Sequence, residues 1–296
     1  MQFMRVTDLK VAFFGTGRLA QIVLEKLTDL PYKPELVVSA PDTKTGRGQK
    51  TQFSPVKQTA LEHKIEVLQP NNLSDKNFKF DLAILVAYGK IIPEDILAIP
   101  KWGFINVHPS LLPKYRGPSP IQSAILADEK FTGVSIIKLD EEIDHGPILA
   151  QESIVIKKNN THASLIEKLG ILGVKLLAET LPKYLDGKLK PSPQDNLKAT
   201  FTKRITKRDG AIDLQNPPDP QTLDRMIRAY YPWPGVWTEI ESRDKSQESK
   251  NKIIKFLPGN LIQPEGKRAM SISEFRNGYP EAFEQISRLF GSEAQS

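Results

Sequence analysis

The stretch GFINVHPSLLPKYRGPSPIQSAI sets an asparagine and a histidine two residues apart, at Asn106 and His108. Side chains alternate along a strand, so these two share one face while Ile105 and Val107 take the other. Polar groups ending an apolar strand are costly there unless they have partners or a task. Pro109 ends the ladder, which puts both residues near the carboxyl edge of the sheet, where open α/β sheets bind ligands. An amide and an imidazole at such an edge supply hydrogen-bond donors and a proton carrier, either for a ligand or for the fold itself. A second polar cluster is LDEEIDHGPIL, with four acids in Asp140–Asp144. Asp144 precedes Gly146-Pro147, which predicts a turn between two strands. Read alone it is a solvated turn, and His145 an exposed residue beside it.

A third pattern is GTGRLA, where Gly15, Gly17 and Ala20 fit the G-x-G-x-x-A form of a dinucleotide fingerprint. The acidic residue expected about 20 positions further on is poorly matched, because Asp42 falls inside PDTKTGRGQK. A tight strand-to-helix turn explains the glycines better. A nicotinamide-dependent oxidoreductase is the alternative class resting on them.

The elements that must position these groups alternate along the first half. LKVAFFG, ELVVSA, DLAILVAYG and WGFINVH are short apolar runs, IEVLQP a weaker one, and helical patterns lie between several of them. Continuous apolar strands alternating with helices predict an α/β fold with a mainly parallel sheet covered on both faces. GVSIIKLD and PILAQESIVI add two strands, and a long helix is predicted from a Thr161 cap to a Gly187 stop. Residues 191–210 lack apolar periodicity and read as a basic linker. Beyond them come a helix over 219–230, strands in VWTEIE and KIIKFL, a solvated loop over 241–252, and a last helix over 281–290. The expected domains are thus 1–190, 191–210 as linker, and 211–296.

At 296 residues, with 39% hydrophobic and 26% charged residues, two soluble domains are the natural expectation. The absence of cysteine excludes disulfides, thiolate ligands and a cysteine nucleophile. No apolar run reaches the length of a membrane span, and MQFMRVTDLK does not read as a signal peptide. A cytoplasmic monomer is expected. The net charge of +6 favours an anionic partner without requiring one. Two loops concentrate the charge. TKTGRGQK carries Lys44, Arg47 and Lys50, and KATFTKRITKR carries Lys198, Lys203, Arg204, Lys207 and Arg208, with no acid in either. Such loops suit phosphate contact, although basic loops are also ordinary solvated surface. The four histidines have no ligand spacing such as HExxH, so no metal is expected.

NVHPSLLPKYRGPSPIQSAI, DHGPIL and VAYGKIIP together resemble the formyltetrahydrofolate-dependent formyltransferases. TGRGQKTQFSPVK, IRAYYPWPGVWT and LIQPEGKRAMSISEFRNGY resemble the branch of that family acting on methionyl-tRNA. The resemblance runs almost end to end in one order. It implies a Rossmann-like catalytic domain joined to a small OB-like β domain, shortened here because the chain between KIIKFLPGN and LIQPEGK is brief. It implies Asn106, His108 and Asp144 as the catalytic set, acting on 10-formyltetrahydrofolate as formyl donor. Folate contacts would come from Val86, Tyr88, Gly89, Ser110, Leu111, Leu112 and Pro113. Initiator methionyl-tRNA would be the acceptor, met by Lys44, Arg47, Lys50, Lys203, Arg204 and Lys207. A small amine, such as a sugar nucleotide or glycinamide ribonucleotide, is the alternative acceptor within the family.

Overall fold

The computed structural model describes residues 9–45, 50–71, 73, 79–241 and 252–290. The first strand, β1 (Val11–Gly15), is buried at every position, as a strand covered on both faces must be. It leads through Gly17 into α1 (Arg18–Leu27), whose Leu19, Ala20, Ile22, Val23, Leu24 and Leu27 are buried. Next come β2 (Leu36–Val38), a two-stranded antiparallel ribbon of β3 (Thr43–Thr45) and β4 (Lys50–Gln52), α2 (Pro55–Glu62) and β5 (Glu66–Leu68). Then follow β6 (Leu82–Val86), α3 (Glu94–Leu97), β7 (Phe104–His108), α4 (Pro120–Leu126), β8 (Phe131–Lys138), β9 (Ile148–Val155) and α5 (His162–Leu185). The seven-stranded sheet has the order β5-β2-β1-β6-β7-β8-β9. Its first five strands are parallel, and β8 and β9 join antiparallel.

Phe14, Phe80, Tyr88 and Phe104 pack ring against ring at 5.1–5.9 Å between centroids, most of them edge to face. That geometry suits the ring quadrupoles and packs β1, the segments flanking β6 and the start of β7 against one another. The long helix begins as its cap predicts, with the Ser164 amide donating to Thr161 Oγ1 at 3.2 Å. It stops at Gly187, whose φ of +69° is left-handed.

Residues described beyond 203 form α6 (Pro220–Tyr230), β10 (Val236–Ile240), β11 (Lys252–Leu257), β12 (Leu261–Pro264), β13 (Met270–Ser271), α7 (Ile272–Gly278) and α8 (Pro280–Ile286). Asp219 caps α6 through the amides of Gln221 and Thr222. The four strands make an antiparallel sheet in sequence order, which among the described residues is open, with β10 and β13 at its edges. Among the described residues the small C-terminal β domain is therefore a short open sheet with three helices. The loop expected over 241–252 lies almost wholly outside the described residues.

The chain divides into two compact units. The first takes in the chain to Pro120 with Phe131–Val155 and Ile166–Lys203, and the second takes in Ile121–Lys130, Ile156–Leu165 and the chain from Arg204. The segment read as a linker is split by this division, 191–203 counting with the first unit. No described helix is long and apolar enough to cross a membrane.

His162 opens α5 with its Nδ1 buried and without a hydrogen-bond partner. Burial pushes its pKa from 6.5 down to about 4. The folded state thus resists a proton that the unfolded chain accepts. The resulting stability is complete above the unfolded value of 6.5 and is lost as pH falls towards 4, on the order of 3 kcal/mol in all. Urea midpoints followed from neutral to acid pH should fall more steeply for the wild type than for His162→Asn. Equal slopes would detach the acid sensitivity from this residue.

Candidate active site

β7 is buried along its whole length, with Asn106 opposite Leu85 of β6 and Ile137 of β8, and His108 opposite Ser135. Asn106 and His108 are each 4% exposed. Two polar side chains so deep need partners, and the chain supplies them from 38 and 7 residues away. Asn106 Nδ2 donates to Asp144 Oδ1 at 3.0 Å. His108 Nε2 lies 3.0 Å from the Tyr115 carbonyl. A carbonyl only accepts, so Nε2 carries the hydrogen in that contact. The other ring nitrogen, Nδ1, lies 3.5 Å from Asp144 Oδ1, longer than a formed hydrogen bond.

Asp144 sits on the turn between β8 and β9 with a φ of +49°, in the left-handed region that Asp tolerates better than most residues. The turn is tight because Gly146 crosses the Lys138 carbonyl so closely that any Cβ would overlap it. The Asp144 side chain is 13% exposed. Its Oδ2 accepts the Gly117 amide at 2.8 Å. The carboxylate therefore bridges the strand, through Asn106, and the loop that follows the strand, through Gly117.

That loop is fixed at its base by residues that sequence reasoning passes over. Ser135 on β8 donates to the Ser110 carbonyl at 2.6 Å and accepts the Leu112 amide at 3.0 Å, while Gln151 on β9 donates to the Leu112 carbonyl. Ser110 closes the turn by donating to the Lys114 carbonyl. The Leu112–Pro113 peptide is cis. Of the residues expected to meet folate, Ser110 and Leu112 are buried, and Leu111 and Pro113 are partly exposed.

Val86 ends β6, and the chain then turns through left-handed Ala87 and Gly89, with φ of +45° and +78°. Beside Gly89 the space for a Cβ is empty for 4 Å. Tyr88 is buried, its carbonyl accepts Thr16 Oγ1 at 3.2 Å, and its hydroxyl has no partner. The open space beside Gly89 leaves room for a ligand against this turn. At Gly15 the requirement is packing: a Cβ there would meet Ala20 Cβ and the Phe13 ring at 2.7 Å. The glycine turn needs no nucleotide to explain it.

The basic residues expected to meet tRNA fall in two places. Lys44 and Lys50 lie on β3 and β4, while Arg47 falls outside the described residues. Lys203, Arg204 and Lys207 are exposed, and Lys207 Nζ lies 5.5 Å from the centre of the Trp237 ring. His145, read as an exposed turn residue, is half-buried. Its Nδ1 lies 2.7 Å from Asp140 Oδ2 and its Nε2 lies 3.0 Å from Asn196 Nδ2. Among the described residues no three acidic or histidine side chains are grouped to hold a metal.

Residues 9–181 match the formyl transferase family model, and residues 204–261 match the model of the formyl transferase C-terminal domain. The chain belongs to the formyl transferase family. Within it, a methionyl-tRNA formyltransferase from Dictyoglomus thermophilum is 40% identical over 306 residues, covering 92% of this chain and 97% of that protein. Another from Roseiflexus castenholzii is 37% identical, covering 92% and 96%. Among solved structures, a 4-N formyltransferase from Francisella tularensis overlays with a TM-score of 0.62 at 17% identity, over 82% of this chain and 96% of that one. WlaRD, a sugar 3N-formyl transferase crystallised with dTdp and 5-N-formyl-THF, gives 0.61 at 19% identity, over 88% and 99%. At such identities the structures speak for the fold.

Proposed function

We propose that this chain transfers the formyl group of 10-formyltetrahydrofolate to the amino group of initiator methionyl-tRNA, as a cytoplasmic monomer serving translation initiation. The observation that carries the reading is the meeting of Asn106, His108 and Asp144 at the carboxyl edge of a sheet whose chain is matched along 92% of its length by methionyl-tRNA formyltransferases.

The acceptor amine attacks the formyl carbon, and the carbonyl oxygen gains negative charge as the new C–N bond forms. Asn106 has two amide hydrogens; one is held by Asp144 and the other is available to that oxygen. With Nε2 of His108 engaged by Tyr115, Nδ1 is the ring atom left to face the reacting groups and Asp144. Asp144 orients that ring and takes up the proton released by the attacking amine. The bond from the formyl carbon to the folate nitrogen then breaks, and that nitrogen leaves with a proton. The turn over Val86, Tyr88 and Gly89 and the segment Ser110–Pro113 hold the folate ring. Lys44, Arg47, Lys50, Lys203, Arg204 and Lys207 meet tRNA phosphates.

The purified protein should formylate charged initiator tRNA in the presence of 10-formyltetrahydrofolate, and should leave glycinamide ribonucleotide and an amino-sugar nucleotide unmodified. Turnover confined to a small amine would replace the acceptor in this reading. Arg47→Ala with Lys50→Ala should weaken tRNA binding while folate affinity stays near wild type. If each makes one phosphate contact, the log–log salt dependence becomes shallower by roughly 0.7–0.9 per lost contact. An unchanged slope, affinity and turnover would make these two residues solvated bystanders.

A further inference from the structure

Residues 192–202 look like a tether in composition, yet they are stitched to the active-site loops at both ends. Ser192 and Ile148 exchange backbone hydrogen bonds at 2.7 and 2.8 Å. Further along, the Thr200 carbonyl accepts the Arg116 amide and the Thr202 amide donates to the Arg116 carbonyl, both at 2.8 Å. Thr200 Oγ1 accepts the Tyr115 amide at 2.8 Å, and Thr202 Oγ1 accepts the Ser119 amide at 3.1 Å. Gly117, with a φ of +104°, leaves little room for a side chain, since a Cβ would stand 3.0 Å from the Thr202 carbonyl oxygen.

Between these ends lies Gln194. Its Nε2 donates to the carbonyls of both Asp144 and Gly146, each at 2.8 Å. Its Oε1 accepts from Arg116 Nε at 3.2 Å and Nη2 at 2.8 Å. Arg116 Nη2 also reaches Asn196 Oδ1 at 2.7 Å. Arg116 is 3% exposed, and these partners are neutral amide oxygens. A guanidinium so deep is costly to leave under-bonded, which makes its hold on Gln194 firm. Every hydrogen-bonding atom of the Gln194 amide is thus engaged, on one side with the loop after β7 and on the other with the turn bearing Asp144.

We infer that Gln194, anchored by Arg116, is a positioning residue for the formyl-transfer chemistry. It holds the Asp144 backbone in its left-handed conformation, so that the carboxylate meets Asn106 and Gly117 together. Both carbonyls flanking the turn need a donor, and only the neutral amide gives two hydrogens while accepting from Arg116. The inference rests on the assignment of Asp144 above and deepens it.

Three variants of the full-length enzyme test it, Gln194→Met, Gln194→Glu and Asp144→Asn, together with each Gln194 change in the Asp144→Asn background. Thermal midpoints establish that each is folded, and Gln194→Glu retains an acceptor for Arg116 should Gln194→Met prove too unstable. Gln194→Met and Gln194→Glu should each lower kcat by about 10- to 100-fold with KM for folate and tRNA changed little, since a displacement of about 1 Å costs that much at a reacting centre. In the Asp144→Asn background the same changes should add less than about twofold, because residues acting through one another are not additive. The pH–rate profile of Gln194→Glu should take the shape given by Asp144→Asn. Full activity in Gln194→Glu would make Arg116 the only partner that matters and would overturn the inference. Equal losses in both backgrounds would overturn it as well, leaving the role of Asp144 intact. Wild-type turnover in Asp144→Asn would instead remove the reading of Asp144, and the inference with it.

Discussion

Asn106→Ala and His108→Ala are each expected to lower kcat by about 10²–10³, for Asn106 the usual cost of losing one preorganised donor to a developing oxyanion and for His108 that of losing a ring that helps to handle the proton. The folate dissociation constant should move far less, because the turn at Val86–Gly89 and the Ser110–Pro113 segment lie on separate loops. The two variants should not be equivalent. Without the Asn106 amide, Asp144 Oδ1 loses its 3.0 Å donor but keeps the Gly117 contact at Oδ2. Without the His108 ring, the Tyr115 carbonyl loses its partner, and the left-handed Tyr115, with φ of +63°, is less restrained. His108→Ala should therefore also loosen the loop, visible as faster amide exchange over 110–117. Near-normal kcat in either folded variant would sink the assignment of that residue.

Asp144→Asn is expected to cost about 10²–10⁴ in turnover, the range for losing general acid–base help. The substitution is less conservative than its size suggests. The carboxylate accepts at both oxygens, from Asn106 Nδ2 and from the Gly117 amide. An asparagine offers one oxygen and one NH2, so one of those donors would face another donor. Orphaning a buried donor costs about 1–3 kcal/mol, and thermal unfolding should register it. The kinetic signature is separate from that loss. The substituted amide would neither accept a proton nor carry charge beside His108, so the pH–rate profile should change in shape as well as height. A profile of wild-type shape at reduced height would leave Asp144 a turn residue whose loss merely distorts the site.

Much of the sheet is legible because its strands are buried on both faces and read as unbroken apolar runs, as in VAFFG, LAILV and FINVH. The long helix is legible at both ends because Thr161 and Gly187 have one clear structural use each. The shared face of Asn106 and His108 follows from strand alternation alone. Their meeting with Asp144 does not, since no local pattern links residues 38 apart, and only the family resemblance pointed to it. The ribbon of β3 and β4 escaped notice because TKT and KTQ carry no apolar alternation. Gln194, Arg116 and Ser135 escaped for a related reason. Side-chain amides, guanidinium groups and hydroxyls that tie loops together leave no period in a sequence, and polar composition then passes for solvent exposure.

The segment that bears Gln194 also bears on where this protein could be divided. The two family models end at residue 181 and resume at 204, so residues 182–203 belong to neither. Sequence similarity would invite a cut anywhere in that interval, as though it were spacer. In three dimensions residues 192–202 of that interval are bonded to the loops of the site through Ser192, Gln194, Asn196, Thr200 and Thr202. A chimaera that took its first part from this chain up to residue 181, and the rest from a distant relative, would import foreign residues opposite Arg116 and the Asp144 turn. A chimaera that keeps the site intact should therefore take this chain through Lys203. A cut after Lys203 keeps these contacts together, with Ile121–Lys130 and Ile156–Leu165 of the second unit staying on the same side of it.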